Sequence, residues 1–182
     1  WWRVHETDAP ELVPDALHEA LFQAGHRVGA AAQACFPGGA EVAYTSDLST
    51  MLEDTQLQLE RDVPAIFEAS FVYDGVFVAV DILERSGDGW TVIEVKSTKS
   101  VKAHHILDAA VQVHVLRAAG LKVVGAQLMH LHPRASAEAG LFARADILER
   151  VESLLPGLPE LIEGLGAVLS GPLPEVPVGR HC

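Results

Sequence analysis

Two glycine-containing turns inside a strand-forming segment constrain the fold of this chain more than any other feature. Residues 65–96 are rich in Val, Ile and Phe, and they are interrupted by Asp74-Gly75 and by Ser86-Gly87-Asp88-Gly89. Asp-Gly between apolar runs favours a two-residue hairpin loop, because both central positions of that turn need positive φ. The pattern therefore predicts an antiparallel meander of three strands, at about 65–73, 76–85 and 90–96.

The segments around this meander predict helices and a further strand. Apolar residues at helical spacing predict helices at 11–35, from Asp47 to Leu59, and at about 105–119. The sequence then predicts a strand at 122–131, one or two helices within 142–170 and a linker-like tail at 171–182. We expect one α/β domain over residues 1–182, with a core at about 25–131 and a central mixed sheet flanked by helices. Because the chain opens on Trp1 without methionine and stops at Cys182, we expect it to be excised from a longer protein.

Composition excludes several classes of protein. With 49% hydrophobic and 21% charged residues, the composition is that of a folded protein and not of a disordered one. No apolar run reaches the ~20 residues that a membrane span needs. Two cysteines are too few for a disulfide framework, which favours a reducing cytoplasm. The net charge of -12 argues against a protein that coats nucleic acid, because phosphate binding depends on Lys and Arg. A local basic site remains open, since Lys96, Lys99 and Lys102 form the most cationic stretch.

Three carboxylates are predicted to lie side by side in the meander. Because turn position sets the register of a hairpin, the two turns place Glu68 opposite Asp81, and Asp81 opposite Glu94. Neighbouring Cβ atoms in such a row are about 4.5–5.5 Å apart, and Lys96 shares the same face. The same face is expected to carry the apolar residues Ile66, Val72, Phe77, Leu83 and Val92.

Like charges in one row need a compensating cation or proton. A hard divalent cation such as Mg²⁺ takes oxygen ligands, polarises a phosphoryl oxygen and lowers the pKa of a bound water, while an adjacent lysine offsets charge in the transition state. The pattern therefore indicates metal-dependent phosphodiester hydrolysis. The alternative is that the three acids are solvated residues on the wet face of an antiparallel sheet.

The ordered set of Glu68, Asp81, Glu94-Val95-Lys96 and the helical Gln112 resembles the PD-(D/E)XK nuclease superfamily. More narrowly it resembles the RecB-like branch, which includes CRISPR-associated exonucleases and uncharacterised relatives, over the stretch from about Gly25 to Leu131. The resemblance implies a restriction-endonuclease-like core that uses Mg²⁺ or Mn²⁺.

The resemblance also implies a role for each matched residue. Asp81 and Glu94 would bind the metal, with the backbone carbonyl of Val95 as a further ligand and Glu68 as an accessory acid. Lys96 would be catalytic and would serve the attacking water. Gln112 would lie close to the active site and orient substrate or lysine.

The sequence departs from the family in the first helical region, in its cysteines, and at Leu116, where relatives often carry a tyrosine one turn after the helical glutamine. RecB-like members usually carry a metal-binding histidine in the first helical region, where this chain has Gly29. His26 is one turn away from that place and could reach the site instead, but a surface or capping role is favoured for it. Several relatives bind an iron–sulfur cluster through four cysteines, and Cys182 stands where the rear group would begin. Four thiolates are needed, so a cluster is expected only in a longer parent protein, and Cys35 is expected to be a buried apolar residue.

The expected function is hydrolysis of phosphodiester bonds in nucleic acid, DNA rather than RNA, by an exo- or endonuclease. Candidate substrate contacts are Lys99, Lys102, His105 and Arg117. Two alternatives stay open: an inactive RecB-like module that binds nucleic acid or protein, and a metal-dependent hydrolase acting on another substrate.

Overall fold

Six strands form one mixed sheet in the computed structural model, which describes residues 1–136 and 140–175. They lie in chain order: β1 (Ala40–Glu41), β2 (Ala65–Tyr73), β3 (Val76–Ser86), β4 (Gly89–Lys96), β5 (Val123–Ser136) and β6 (Gly140–Asp146). β1 pairs with β2 in parallel, as β4 does with β5, and the other neighbours are antiparallel. The chain is therefore a mixed α/β protein with the expected central mixed sheet.

Helices flank the sheet, and capping residues set where two of them begin. The α-helices are α1 (Trp2–His5), α2 (Ala16–Gln33), α3 (Leu48–Glu60), α4 (Ala103–Ala118), α5 (Leu148–Leu154) and α6 (Leu158–Ser170). Asp15 caps α2 by accepting from the His18 N–H, and Asp47 caps α3 by accepting from the Ser49 N–H. Within the described ranges, no helix has both the length and the apolar character to cross a membrane.

The predicted meander is confirmed as β2, β3 and β4, with the register that the two turns imply. The region after β5 differs from the prediction of helices at 142–170. Gly140–Asp146 forms strand β6, and the helices begin at Leu148. The reason is tertiary, because β6 pairs with β5 and this pairing overrides a local pattern that also fits a helix.

The two faces of the sheet bury different amounts of apolar surface. On one face, called here the α4 face, a large buried cluster joins the sheet to α3, α4 and α5 through residues such as Ile66, Leu83, Leu116 and Val151. On the other face, called the α2 face, the buried cluster is small. Its members are Ala32, Ala65, Phe67, Ile82, Ile93 and Met129.

The alternation of side chains between these faces is interrupted at Glu68 and Asp81. Phe67 packs on the α2 face, whereas Phe71, an even number of residues further along β2, packs on the α4 face. β3 changes in the same way between Val80 and Ile82. The register is unchanged across the interruption, and Glu68 adopts a φ of 56°, which is unusual for a residue other than glycine.

This interruption overturns part of the predicted apolar face. Ile66, Leu83 and Val92 do lie in the cluster on the α4 face. Val72 and Phe77 were expected to join them, but Phe71 and Val78 are buried there instead, and Phe77 is 40% exposed. The shift of one residue in both strands is the cause, since side chains alternate with a period of two.

Candidate functional site

The carboxyl-terminal end of β4 carries two predicted site residues, and both reach towards α4. Glu94 is buried, and its Oε1 lies 2.6 Å from Nζ of Lys96. Its Oε2 accepts a hydrogen bond of 2.5 Å from Nε2 of Gln112. Lys96 Nζ also lies 2.9 Å from Oδ2 of Asp108 on α4. An ammonium group and an amide donor therefore fix the Glu94 carboxylate, and Gln112 orients Glu94 rather than the lysine.

Asp81 lies where β3 and β4 diverge. The ladder between these strands ends at the pair Ile82 and Ile93, beyond which β4 continues beside β5. The Val95 N–H donates to Oδ2 of Asp81 at 2.7 Å. This bond replaces a strand-to-strand hydrogen bond and holds the Asp81 carboxylate against β4.

A cavity of about 510 Å³ opens between α2 and the sheet at this divergence. Glu68, Asp81, Val95 and Lys96 line it on the sheet side. The other lining residues are Gly25, His26, Val28, Gly29, Ala30, Gln33, Glu41 and Ser97. The cavity therefore exposes two of the three carboxylates, Glu68 and Asp81, and part of Lys96 to small ligands.

The three acids lie close enough to the gap between β3 and β4 to act on one another, but they do not share one face as expected. Glu68 and Asp81 line the cavity on the α2 side, whereas Glu94 bonds to Gln112 on the α4 side. The interruption of alternation at Glu68 and Asp81 is the physical reason. The group therefore bridges the two faces of the sheet at the gap between β3 and β4.

The carboxylates of this group act on one another electrostatically. Burial raises the pKa of Glu68, and the charges of Glu41 and Glu94 raise it further, against an opposing effect of His26. Burial and then the Glu94 charge raise the pKa of Asp81 to about 7, although the Val95 hydrogen bond and the Lys96 charge oppose this. The site thus has an excess of negative charge that Lys96 does not neutralise.

Lys96 is held in its charged form. Burial by itself lowers the pKa of Lys96, but the hydrogen bonds and charges of Glu94 and Asp108 outweigh burial and keep that pKa above its ordinary value. A lysine in this state supplies positive charge and hydrogen bonds, and it is not a general base near neutral pH.

The three carboxylates are chemically suited to bind a hard divalent cation, but their oxygens do not surround a common point. Asp81, Glu68 and Glu94 supply carboxylate oxygens, the ligand type that Mg²⁺ prefers. In the described part of the chain, no three His, Cys, Asp or Glu side chains converge closely enough to hold a metal ion as they stand. Glu94 turns towards α4 and so does not complete such a group.

One buried polar atom beside Glu94 has incomplete hydrogen bonding. Oε1 of Gln112 is buried and has no hydrogen-bond partner among residues 1–136 and 140–175. A buried acceptor left in this state costs about 1–3 kcal/mol. This cost is tolerated more readily at a ligand site than in an ordinary core.

The α2 wall shows what stands in place of the expected histidine. Gly29 lines the cavity, and a Cβ built on it would meet no atom within 4 Å. His26 is exposed and also lines the cavity, close enough to act on the pKa of Glu68. His26 is thus exposed, as expected, and it also reaches the cavity, which was the less favoured alternative for this residue.

Two of the candidate substrate contacts have partners of their own within the fold. His105 is 2% exposed, and its Nδ1 accepts from the Lys102 N–H at the start of α4, so it belongs to the core and the helix terminus. Arg117 pairs with Glu152 at 2.7 Å and donates to the Val123 carbonyl. It lies nine residues beyond Asp108 on α4, roughly 13 Å along the helix, and is therefore not part of the carboxylate group.

The remaining candidates are exposed basic residues and cysteines. Lys99 and Lys102 are exposed in the segment between β4 and α4, directly after Ser97 of the cavity wall. Cys182 lies outside the described residues. Cys35 is exposed and not buried, and its thiol donates to the Ala31 carbonyl.

Glu41 is a site residue that the sequence analysis missed. It lines the cavity from β1 and raises the pKa of Glu68. β1 has two residues, which is too short for any periodicity to reveal. Asp108, in contrast, does carry a sequence signal, because it shares a polar stripe with His105 and Gln112 on an otherwise apolar helix, and such a stripe indicates either contact with the carboxylates or an exposed helix edge.

Comparison with known proteins gives no family for this chain. No family model matches it, and no curated protein matches it. One solved structure, described as "Crystal structure of SSO0001", is 15% identical, covers 76% of this chain and 69% of that chain, and has a TM-score of 0.30. At this level of similarity, nothing about function passes from that structure to this chain.

Proposed function

We propose that this chain is a Mg²⁺- or Mn²⁺-dependent nuclease of the RecB-like type that hydrolyses phosphodiester bonds of DNA. The observation that supports this most is the meeting of Glu68, Asp81 and Glu94 with Lys96 at the gap between β3 and β4, beside a cavity of about 510 Å³. Three interacting carboxylates with one ammonium group leave negative charge for a divalent cation to balance.

Each residue has a role in this proposal. Asp81 and Glu94 hold the cation, together with the Val95 carbonyl, and Glu68 is the accessory acid at the cavity. The bound cation would polarise a phosphoryl oxygen and lower the pKa of a water. Lys96 places its ammonium group where charge develops on the phosphate, and Gln112 fixes Glu94 through the bond from its Nε2.

The substrate side of the proposal depends on local rather than overall charge. The chain carries a net charge of -12, which disfavours broad nucleic-acid binding. Lys99 and Lys102 are exposed in the segment that follows Ser97 of the cavity wall, and they suit phosphate contacts. DNA rather than RNA as substrate, and a cytoplasmic location, are parts of the same proposal.

Cleavage assays with matched variants test the proposal. Labelled single- and double-stranded DNA and RNA are incubated with Mg²⁺, with Mn²⁺ or with chelator, using the wild type, Asp81→Ala and Lys96→Ala. Asp88→Ala and Lys122→Ala are the matched controls, because this exposed ion pair lies at the other end of β4. We expect metal-dependent cutting that is lost in the first two variants and kept in the controls. Cutting that persists in Asp81→Ala and Lys96→Ala would contradict the assignment.

A binding module without catalysis is the second candidate. It is favoured by Gly29 in place of a histidine ligand and by the engagement of both Glu94 oxygens with Lys96 and Gln112. Mn²⁺ binding by calorimetry with no cleavage of any nucleic acid would favour this module. Cleavage of a small phosphodiester such as bis(p-nitrophenyl) phosphate, but not of DNA, would favour a hydrolase acting on another substrate.

A further inference from the structure

Asp108 contacts the site lysine from a different element than the motif residues. Its Oδ2 lies 2.9 Å from Nζ of Lys96, and its side chain is 45% exposed. Lys96 Nζ lies 2.6 Å from Oε1 of Glu94 at the same time. The ammonium group therefore bridges a carboxylate of β4 and a carboxylate of α4.

This bridge matters because Glu94 has few free positions for another ligand. One oxygen of Glu94 is taken by Lys96, and the other accepts from Gln112. A cation that approaches Glu94 repels the Lys96 ammonium and competes with it for the same carboxylate. A second carboxylate partner lets the ammonium group stay paired and close by when Glu94 gives up an oxygen.

We propose, on the basis of the function proposed above, that Asp108 is a positioning residue that holds the Lys96 ammonium group and so frees Glu94 to bind a divalent cation. Without Asp108, Lys96 keeps Glu94 as its one carboxylate partner among the contacts described here. Cation binding must then break that pair, and the displaced ammonium is no longer held at the site.

A double-mutant cycle on metal affinity tests this role. Mn²⁺ binding is measured by calorimetry for the wild type, Asp108→Asn, Lys96→Met and the double variant, after circular dichroism has shown that each is folded. We expect Asp108→Asn to weaken Mn²⁺ binding about fivefold when Lys96 is present. In the Lys96→Met background we expect less than about a twofold change, because a half-exposed charge acts weakly through space. Equal weakening in both backgrounds, or none when Lys96 is present, would overturn the proposal.

A metal-free measurement separates this proposal from the proposed function. Acetic anhydride labelling followed by mass spectrometry gives the reactivity of Lys96 relative to Lys122, which pairs with Asp88 far from the site. We expect Asp108→Asn to raise this ratio severalfold and Asp108→Glu to restore it. If the wild type binds no Mn²⁺ while the ratio rises, the metal function fails and the anchoring of Lys96 stands. An unchanged ratio overturns the anchoring itself.

Steady-state kinetics give the third readout. If the wild type cleaves DNA, Asp108→Asn should lower kcat more than it raises KM, because the ammonium group acts on the developing charge. Asp108→Glu should recover most of kcat. A change confined to KM would contradict the positioning role.

Discussion

The α4 face of the sheet is closely packed, whereas the α2 face is partly open. The α4 face is filled by a continuous buried cluster that includes Ile66, Leu116 and Leu128, each with 0% exposure. The α2 face has six buried residues in its cluster and a cavity of about 510 Å³ beside them. The carboxylates lie at the gap between β3 and β4, where the two faces meet. The α4 face therefore contributes most of the stability. It also holds the charged groups in place at the gap, from which some of them reach the cavity on the α2 face.

Truncating a buried side chain of α4 and an exposed side chain of α2 should give the largest difference in the free energy of unfolding. Leu116→Ala removes a fully buried side chain from the α4 face, and we expect it to lower the free energy of unfolding by about 2–5 kcal/mol. Leu17→Ala changes a residue of α2 that is 67% exposed, and we expect a change within about 0.5 kcal/mol. Urea denaturation monitored by circular dichroism measures both. Similar losses in the two variants would show that the start of α2 packs as tightly as α4.

The charge on Asp81 should make stability depend on pH. Its pKa is raised to about 7 in the folded protein, from 3.8 in the unfolded chain. Since the unfolded chain loses this proton first, folding stability falls as pH rises from about 4 to about 7. Above this window the loss is complete and stability no longer changes with the charge of Asp81.

Asp81→Asn removes this dependence and keeps an oxygen for the Val95 N–H. We therefore expect the variant to gain stability over the wild type as pH rises through this window, in urea titrations without divalent cations. Asp88→Asn is the control at an exposed carboxylate, which lacks the burial that destabilises Asp81. Parallel curves for the wild type and Asp81→Asn would show that Asp81 does not carry an unfavourable buried charge.

Replacing one glycine of the sheet and one glycine of α2 with alanine should give smaller changes in the free energy of unfolding, with opposite signs. In Gly89→Ala the new Cβ would lie 2.7 Å from the Lys122 carbonyl oxygen between β4 and β5, and we expect a loss of about 1–3 kcal/mol. In Gly29→Ala the new Cβ meets no atom within 4 Å inside helix α2, and we expect a gain of about 0.5–1 kcal/mol. Thermal unfolding of both variants measures the signs. A loss in Gly29→Ala would mean that the cavity wall at α2 is closed.

The sequence predicted the register of the meander but not the direction of its side chains. The turns at Asp74-Gly75 and Gly87-Asp88 fix the pairing of β2, β3 and β4, because hairpin register follows the turn. The change of face at Glu68 depends on a positive φ in a residue that rarely adopts one, and no local pattern announces it. The neighbourhood of Asp81, Glu94 and Lys96 could therefore be predicted, whereas the bridging of two faces could not.

Elements defined by tertiary pairing were also beyond local patterns. β6 exists because it pairs with β5, and its residues fit a helical spacing equally well. β1 is two residues long, so Glu41 reaches the cavity without any periodic signal. Site residues on strands joined by clear turn sequences could be predicted. Site residues such as Glu41, which come from a segment distant in sequence, could not.

Anomalous diffraction from crystals soaked in Mn²⁺ tests most directly whether the carboxylates at the gap form a cation site. We predict an anomalous peak between Asp81 and Glu94 in wild-type crystals, and no such peak in Asp81→Asn crystals. A peak of equal height in Asp81→Asn, or none at the gap in wild-type crystals with an open cavity, would contradict the metal site.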